Sequence, residues 1–416
     1  MVFTRHVRGR GGVNGGGVAF SQKAHVKYEV PSGAGKVKAK EEEEEEVVEA
    51  GGRGRRNAGG LKLLDMTPSE MQAFVLENDE RAFRSAQIET GIFKKRAATV
   101  HDIRGLPATF KTRLEEQNVR VGRSSLLDRV IAKDGTVKLL LGLGADGGVI
   151  ETVGIPASSG GSKPRVTCCV SSQVGCAMRC AFCATGKMGF TRNLSSGEIV
   201  DQVLTMEEAT GTRVSHVVFM GMGEPMMNLP QVVRAVHSLT QRVGIGARNI
   251  TISTVGVPNT IQRLASEQLQ VTLAVSLHAP NALIRRDLIP AAAGYPIDAL
   301  LEDCRAYATT TGRRVSFEYT LIDSVNDDAE HARELAAMLS KHGFRNGAAH
   351  VNLIPYNPID GADFVRPSRN RVYAFMRALH ANGVGASIRE TRGLDAAAAC
   401  GQLKASRDGA QASAIG

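Results

Sequence analysis

Hydrophobic and polar positions follow two patterns along the chain, and segments with one pattern alternate with segments with the other. From Arg165 onward, short runs rich in β-branched residues precede longer stretches in which apolar residues recur every three or four positions. The short runs predict strands at Arg165–Val170, Val214–Gly221, Asn249–Ser253, Val271–Leu277, Arg314–Ile322 and His350–Ile354. The longer stretches predict helices, one opened by the capping box Ser195-Ser-Gly-Glu198 and others at Leu229–Gln241, Pro296–Thr311, Asp327–His342 and Pro367–Asn382.

Such alternation is typical of βα units that surround a parallel sheet. The units are too few for a complete eight-stranded barrel, so we predict an α/β fold with a partial, TIM-like (β/α)6 barrel. We place this barrel at residues 165–404, where it ends in a loop that contains Cys400. Residues 405–416 are predicted to form a short tail.

Three further parts precede the barrel. Residues 1–60 are rich in Gly, Arg and Lys and lack a hydrophobic period, which predicts a disordered tail; its basic bias also suits an organelle transit peptide. Residues 61–126 predict a small helical domain, because Thr67-Pro-Ser-Glu70 has the form of a capping box and short helical segments follow it. Residues 127–164 predict a β-rich linker that leads into the barrel.

The predicted helical domain carries a basic cluster at Lys94, Lys95 and Arg96. The cluster is either a solvated charged face or a surface that docks RNA. The whole chain has a net charge of +9 and a pI of about 9.3, a balance that favours a polyanionic partner such as nucleic acid. No apolar run reaches the length of about eighteen residues that a transmembrane helix needs, so we expect no membrane association.

The most informative feature is the triplet Cys176, Cys180 and Cys183, with the spacing C-x3-C-x2-C. Thiolates are the usual ligands of iron–sulfur clusters, and three of them leave one corner of a 4Fe-4S cluster open to a small molecule. The alternative is a zinc site that takes Cys168 or Cys169 as its fourth ligand. The chain has seven cysteines, an odd number that argues against a disulfide framework and for a reducing compartment.

Other polar motifs follow the ends of the predicted strands. Gly221-Met-Gly-Glu-Pro225 follows the second strand, Ser253 ends the third, Ser276-Leu-His278 ends the fourth and Asn357 follows the sixth. Cys400 lies beyond a last extended segment, Ala386–Glu390. Because barrel enzymes build their sites at the carboxyl ends of the strands, we expect these motifs to meet at one rim.

Taken together, the motifs resemble the radical S-adenosylmethionine (SAM) RNA methyltransferases, specifically the RlmN-like adenine-C2 methyltransferases of 23S rRNA and tRNA. The resemblance covers about Met66 to Leu403. It rests on Cys169-Val-Ser-Ser-Gln-Val-Gly-Cys176, the triplet, Gly189-Phe-Thr-Arg-Asn-Leu194, Gly221-Met-Gly-Glu-Pro225, Ser276-Leu-His-Ala-Pro280, Phe317-Glu-Tyr319, Ile354-Pro-Tyr-Asn-Pro358, Thr391-Arg-Gly393 and Ala398-Ala-Cys-Gly-Gln-Leu403. Two features depart from the family pattern: the small domain lacks Trp, and Leu394–Cys400 lacks the acidic pair common before the last cysteine.

The resemblance implies a radical SAM barrel in which the triplet holds a 4Fe-4S cluster. It implies that Cys400 receives a methyl group and forms a covalent adduct with the RNA, that Cys169 releases the product by forming a disulfide with Cys400, and that Glu151 is the base. The implied SAM contacts are Gly223, Glu224, Ser253, Ser276, Leu277, His278 and Asn357.

The implied partners are large-subunit rRNA, tRNA and an electron donor such as flavodoxin or ferredoxin, with the enzyme a monomer. The family default is a cytoplasmic enzyme, and the N-terminal extension adds the interior of a plastid or mitochondrion as an alternative. The Cfr-type relatives share the two-cysteine scheme but methylate carbon 8, so the residues alone leave the ring position open. Two other classes stay open as well: a radical enzyme that acts on a small molecule or protein, and a zinc-stabilised RNA-binding module without catalysis.

Overall fold

The computed structural model describes residues 60–144, 147–157, 165–345 and 347–405. The predictions of a disordered tail at residues 1–60 and of a short tail at 405–416 fall almost entirely outside these residues. No helix in the described part of the chain is long and apolar enough to cross a membrane.

The first elements form a small helical region. In chain order they are β1 (Leu61–Lys62), α1 (Pro68–Glu77), α2 (Phe83–Phe93), α3 (Ala108–Glu116) and β2 (Val119–Arg120), with β1 and β2 paired in parallel. The capping box at the start of α1 is confirmed: the backbone N–H of Glu70 donates to Thr67 Oγ1 at 3.2 Å, and the backbone N–H of Thr67 donates to a carboxylate oxygen of Glu70 at 2.6 Å.

The segment that follows is part of the main sheet rather than a simple linker. It contains β3 (Ser125–Ile131), β4 (Val137–Leu143) and β5 (Gly148–Pro156), which pair antiparallel in sequence order. β5 also pairs antiparallel with the first barrel strand. Both faces of β4 and β5 are largely covered, which explains their nearly continuous apolar character.

Seven strands then run parallel to one another. The elements in order are β6 (Val166–Cys169), β7 (Gln173–Gly175), β8 (Phe190–Asn193), β9 (Val214–Phe219), β10 (Ile250–Thr254), β11 (Thr272–Ser276), β12 (Val315–Leu321), β13 (Ala349–Pro355) and β14 (Ala386–Ile388). β7 and β8 form a separate antiparallel pair. The main sheet has the order β14-β13-β12-β11-β10-β9-β6-β5-β4-β3. Its seven parallel strands are β6, β9, β10, β11, β12, β13 and β14.

The predicted α/β class and partial barrel are therefore confirmed, and each of the six predicted strands is present. The last extended segment adds a short seventh parallel strand. The helices that accompany the strands are α4 (Ala184–Lys187), α5 (Ser196–Thr210), α6 (Leu229–Ser238), α7 (Thr260–Ser266), α8 (Ala282–Leu288), α9 (Ile297–Thr311), α10 (Ala329–Lys341) and α11 (Arg369–Ala381). The sequence pattern missed α4, α7 and α8, and a π-helical turn at Leu239–Val243 shortens the helix predicted at Leu229–Gln241.

The basic cluster serves contacts between the helical region and the barrel. Lys94 Nζ donates to the backbone carbonyl of Arg242 at 3.0 Å, and Arg96 pairs with Glu207 on α5. Two of the three predicted RNA-docking charges thus make contacts within the protein; Lys94 and Lys95 are both exposed, and Arg96 is half-buried.

Candidate active site

A cavity of about 130 Å³ lies at the carboxyl ends of the parallel strands. It brings together most of the residues singled out in the sequence. Those that line it are Cys176, Cys180, Cys183, Gly223, Glu224, Ser253, Ser276, His278, Asn357 and Cys400. Leu277, Cys169 and Glu151 lie outside its lining.

The cysteine triplet lies on a loop whose start is fixed by tight backbone packing. Gly175 has φ of +74°, and a side chain there would collide with the carbonyl oxygen of Gly189 at 1.9 Å. The N–H of Cys176 donates to that same carbonyl at 2.7 Å. Only glycine meets both demands, because its missing Cβ permits the positive φ and the close approach.

Cys176 is buried, Cys180 and Cys183 are half-buried, and the three thiols influence one another electrostatically. Burial raises the pKa of Cys176 to about 12 and raises that of Cys183. Burial also raises the pKa of Cys180 well above its ordinary value, and the neighbouring Cys183 and Cys176 add to the rise. Protein thiols in such a place favour the neutral form unless a cation or metal binds them.

The triplet supplies three thiols at the wall of one cavity, and a 4Fe-4S cluster takes one thiolate at each of three irons. A single zinc ion instead needs four ligands that converge on one position. Cys168, a fourth ligand in the zinc alternative, is fully buried and lies 3.5 Å from Thr152 Oγ1, away from the cavity lining.

Glu224 joins two loops of the cavity wall. One carboxylate oxygen accepts the N–H of Met226 at 3.0 Å, and the other accepts the N–H of Val255 at 2.9 Å. Burial raises the pKa of this carboxyl, and the two backbone donors oppose the rise. Gly223 beside it has φ of +100° and lies so close to Gln173 that a Cβ would come within 2.5 Å of that side chain.

His278 presents one defined tautomer. Its Nδ1 accepts the backbone N–H of Thr320 at 2.9 Å, so the proton of the neutral ring resides on Nε2. Burial lowers the pKa of the imidazole to about 3, and the charge of Arg285 contributes. The ring also packs edge-on against Phe182, with 4.8 Å between centroids, so it is a neutral donor beside the cysteine loop.

Two serines meet at the ends of neighbouring strands. Ser253 Oγ on β10 lies 3.3 Å from Ser276 Oγ on β11, and both line the cavity. Leu277, which follows Ser276, is fully buried in the hydrophobic core. Its side chain therefore serves packing, and its backbone N–H donates to the carbonyl of Glu318 at 3.1 Å.

The loop of Cys400 is seated across the cavity by contacts on both sides. Asn357 Nδ2 donates to the Cys400 carbonyl at 3.0 Å, and the N–H of Ala184 donates to the Gly401 carbonyl at 2.7 Å. The hydroxyl of Thr185 donates to the Leu403 carbonyl at 2.7 Å. These bonds tie the loop to the cysteine loop itself and to the segment after β13.

Cys169 and Cys400 are neighbours in the same electrostatic environment. Burial raises the pKa of the Cys169 thiol, Cys400 and Cys168 add to the rise, and the guanidinium of Arg389 opposes it. Cys400 is exposed at the cavity wall, yet the protein around the cavity raises the pKa of its thiol as well, again with Arg389 in opposition. All cysteines of the described residues are free thiols.

Glu151 lies on β5 beneath the Cys400 loop. Its carboxylate pairs with Lys138 at 3.0 Å and accepts the backbone N–H of Lys404 at 2.7 Å. β5 pairs with β6 in a register that aligns Val153 with Cys169. The predicted base therefore contacts the loop of one predicted catalytic cysteine and lies on the strand beside the other.

Sequence reasoning missed three charged residues at this site. Glu318 and Arg389 line the cavity, and their side chains form an ion pair of 3.5 Å. Arg285 is buried near Cys180, and burial lowers its pKa to about 10 while the cysteine opposes the shift. A signal existed for Glu318, which lies in the segment Phe317-Glu-Tyr319, but nothing local connects it to Arg389.

Comparison with known proteins identifies the family. The description "Radical SAM superfamily" fits residues 170–336, and "Ribosomal RNA large subunit methyltransferase N-terminal domain" fits residues 61–119. A crystal structure of a radical SAM methyltransferase from Sphaerobacter thermophilus is 42% identical, with a TM-score of 0.77 over 83% of this chain and 100% of that chain.

Curated relatives give the same result. A Synechococcus protein and a Gloeobacter violaceus protein, each named probable dual-specificity RNA methyltransferase RlmN, are both 53% identical to this chain. The first alignment covers 83% of this chain and 96% of that protein, and the second covers 82% and 94%. The chain belongs to the RlmN family of radical SAM RNA methyltransferases.

Proposed function

We propose that the protein methylates carbon 2 of adenosine in large-subunit rRNA, and in tRNA as well, through a covalent protein–RNA adduct. The observation that carries the proposal is the meeting of two thiol systems at one cavity. The triplet and Cys400 line the same wall, and Cys169 interacts electrostatically with Cys400. A radical enzyme with a small-molecule or protein substrate has no use for both Cys169 and Cys400.

The first requirement is a site for the cofactors. Cys176, Cys180 and Cys183 are the proposed cluster ligands, and the residues that follow the strand ends are the proposed SAM contacts: Gly223, Glu224, Ser253, Ser276, Leu277, His278 and Asn357. When bound, the cluster supplies the one-electron chemistry that cleaves SAM. Glu224 and the neutral His278 supply an acceptor and a donor that stay fixed in orientation, because backbone N–H groups hold both side chains.

The second requirement is a methyl carrier. Carbon 2 of adenine is electron-poor and does not attack a methyl cation equivalent, so a carbon-centred radical on a protein-bound methyl group is the reasonable route. Cys400 is the proposed carrier, since it is the exposed thiol of the cavity wall. A first SAM would give this thiol its methyl group as the thiol loses its proton. Transfer of a hydrogen atom from that S-methyl group to the deoxyadenosyl fragment of a second, cleaved SAM would give the methylene radical that adds to the ring.

The third requirement is release of the product. Glu151 is proposed to remove the proton from carbon 2, and the unpaired electron of the ring adduct would return to the cluster. To act as this base, Glu151 must give up its hydrogen bond of 2.7 Å with the N–H of Lys404. The Cys169 thiolate then attacks the Cys400 sulfur, and the sulfur–carbon bond to the RNA breaks. A disulfide forms, the methylene carbon takes a proton, and the base leaves as the methyl product.

Arg389 supports the release step. Cys169 is a thiol whose pKa burial raises, so its attack needs a group that stabilises the thiolate. Arg389 is the cation that opposes the rise at both Cys169 and Cys400. We also propose flavodoxin or ferredoxin as electron donor and a monomeric enzyme.

The compartment is a separate proposal. Residues 1–60 precede the segment that matches the family, and the relatives named above are cyanobacterial, which favours a plastid interior over the cytoplasm for this chain. Fusion of residues 1–60 to a fluorescent protein tests this. Import into plastids supports it, and a signal spread through the cytoplasm contradicts it.

The test of the reaction is product analysis. Anaerobically reconstituted enzyme, SAM with a deuterated methyl group and an rRNA fragment are incubated with a reductant, and the nucleosides are separated by mass spectrometry. We expect 2-methyladenosine that has lost one deuterium, because the radical is formed on the methyl group. 8-Methyladenosine supports the Cfr-type alternative, and an unmodified RNA contradicts both.

A further inference from the structure

One buried carboxylate oxygen in the cavity wall has no hydrogen-bond partner within the described part of the chain. Glu318 on β12 is 3% exposed, and its Oε1 accepts from Asn352 Nδ2 at 2.7 Å and from Ser316 Oγ at 3.1 Å. Its Oε2 accepts no hydrogen bond among the residues that the structure describes, although Glu318 lines the cavity. A buried acceptor without a donor lowers the stability of the fold, so a ligand that supplies the donor is favoured there.

The guanidinium of Arg389 lies next to that oxygen, and its N–H groups can donate hydrogen bonds to a ligand in the cavity. Its Nη1 lies 3.5 Å from Glu318 Oε2, an ion-pair distance without hydrogen-bond geometry, and donates to the thioether sulfur of Met220 at 3.3 Å. A thioether is a weak acceptor, and a guanidinium has five N–H groups in a fixed fork. The pair thus presents an acceptor and a donor side by side at the cavity wall.

The pair lies on the side of the cavity where the methyl group is to be transferred. The charge of Arg389 acts on the pKa of both Cys169 and Cys400, and Glu318 adds to the rise at Cys400. Glu318, Arg389 and Cys400 all line the same cavity. A ligand that bridges Glu318 and Arg389 is therefore in the cavity that contains Cys400, where the substrate base belongs.

We propose that Glu318 Oε2 accepts a hydrogen bond from the amino group at carbon 6 of the target adenine, while Arg389 donates to the adjacent ring nitrogen. The inference rests on the proposed function, which makes an adenosine of RNA the substrate. Adenine carries an amino donor next to a ring-nitrogen acceptor, the complement of this pair. A base with an oxygen at carbon 6 places a hydrogen-bond acceptor against the carboxylate oxygen, so its binding is disfavoured.

The contacts of Glu318 make one substitution especially informative. Asn352 Nδ2 donates to Oε1, so in a Glu318→Gln variant the amide oxygen stays against Asn352 and the amide nitrogen turns to the cavity. The shape of the side chain is kept, while the group that faces the base changes from acceptor to donor. The variant is thus expected to lose its preference for the amino group and to gain tolerance of an oxygen.

The experiment measures binding of reconstituted holoenzyme to three short RNAs that carry adenosine, purine riboside or inosine at the target position. We expect the wild type to bind the adenosine RNA about tenfold or more tighter than the inosine RNA, and Glu318→Gln to reduce that ratio by about tenfold. Glu318→Ala should weaken binding of adenosine RNA but leave purine riboside RNA unchanged. The matched control is Glu390→Gln, an exposed carboxylate next to Arg389 that pairs with Arg392 at 2.7 Å, and it should leave all three affinities unchanged.

Three results would overturn the inference. The first is an unchanged ratio of adenosine to inosine affinity in Glu318→Gln, and the second is an equal loss of affinity for all three RNAs in Glu318→Ala, which indicates a purely structural role. SAM binding without RNA is measured in parallel, and the third result is a loss confined to SAM, which assigns Glu318 to the cofactor. Failure of the proposed function looks different, because the wild type then neither binds nor methylates the adenosine RNA.

Discussion

The side-chain amide of Asn357 donates a hydrogen bond of 3.0 Å to the backbone carbonyl of Cys400. The same side chain accepts a hydrogen bond of 2.9 Å from Arg366 Nη1 through its oxygen, which fixes the orientation of the amide. Asn357 lines the cavity and is a proposed SAM contact. One residue therefore connects the proposed cofactor wall to the loop that carries Cys400, the proposed methyl carrier.

Loss of this connection should release the Cys400 loop from the cavity wall. Asn357→Ala removes a hydrogen bond worth about 1 kcal/mol, so the open state of the loop becomes about fivefold more populated. We expect Cys400 to react with iodoacetamide about fivefold faster in protein free of cofactors, as followed by mass spectrometry of its peptide. Asn382→Ala, which removes an exposed cap bond at the end of α11, is the control and should leave the rate unchanged. An equal rate in Asn357→Ala contradicts the link.

Each cysteine of the triplet should be needed for the cluster. Cys176→Ala, Cys180→Ala and Cys183→Ala each remove one of three thiolate ligands, so we expect iron and sulfide content after anaerobic reconstitution to fall well below the wild-type value. Cys304→Ala is the matched control, because Cys304 is a fully buried core residue on α9. A triplet variant that retains a full complement of iron, or one that binds zinc instead, speaks against the assignment.

The neutral state of His278 predicts a dependence of stability on pH. The folded pKa is about 3 against 6.5 for the free side chain, so the unfolded chain binds the proton more readily. Stability from this residue is full above about pH 6.5 and is lost as the pH falls towards 3, by about 1.4 kcal/mol per pH unit within that window.

His278→Asn is the variant that isolates this effect. Asn tolerates the φ of +57° at this position, and its oxygen can accept the N–H of Thr320. Between about pH 6 and pH 5 the wild type should lose about 1.4 kcal/mol more free energy of unfolding than the variant, as measured by urea denaturation. Parallel pH profiles for the two proteins would refute the neutral buried imidazole.

Arg242 should be the main anchor of the helical region. Its guanidinium forms bidentate hydrogen bonds with the Glu89 carboxylate at 2.8 and 2.6 Å. It also donates to the Met66 carbonyl at 2.7 Å and stacks on Phe93, 3.9 Å from the ring centroid. Arg242→Ala should lower the free energy of unfolding by about 3 kcal/mol and accelerate proteolysis within α2. Arg263→Ala, an exposed residue of α7, should change neither quantity. Unaltered proteolysis of Arg242→Ala argues against the anchor.

The sequence predicted the elements whose signals are local. Thr67 and Ser195 begin capping boxes that predict the starts of α1 and α5, and both boxes form as predicted. The parallel strands are recognisable from β-branched runs that are buried on both faces. α7 and α8 were missed because each has only seven residues, too few to establish a helical period.

What the sequence could not predict depends on contacts between distant segments. Residues 127–164 contain recognisable strands, but no local pattern indicates that β5 pairs with β6 and extends the main sheet. The partnership of Glu318 with Arg389 arises only because β12 and β14 both flank β13. The triplet was predictable, since its chemistry lies in one short loop. Glu318 has a local signal in Phe317-Glu-Tyr319, but its partnership with Arg389 has none.

Trapping of the reaction intermediate tests the central claim most directly. Cys169→Ala removes the thiol proposed to release the RNA, while Cys168→Ala removes its neighbour, which is fully buried outside the cavity lining. With SAM, reductant and RNA, we predict that Cys169→Ala accumulates RNA linked through a methylene bridge to Cys400, detected by mass spectrometry of the digested protein, and that Cys168→Ala accumulates none. Cys169→Ala enzyme that retains its cluster and turns over RNA without any such adduct would contradict the two-thiol mechanism.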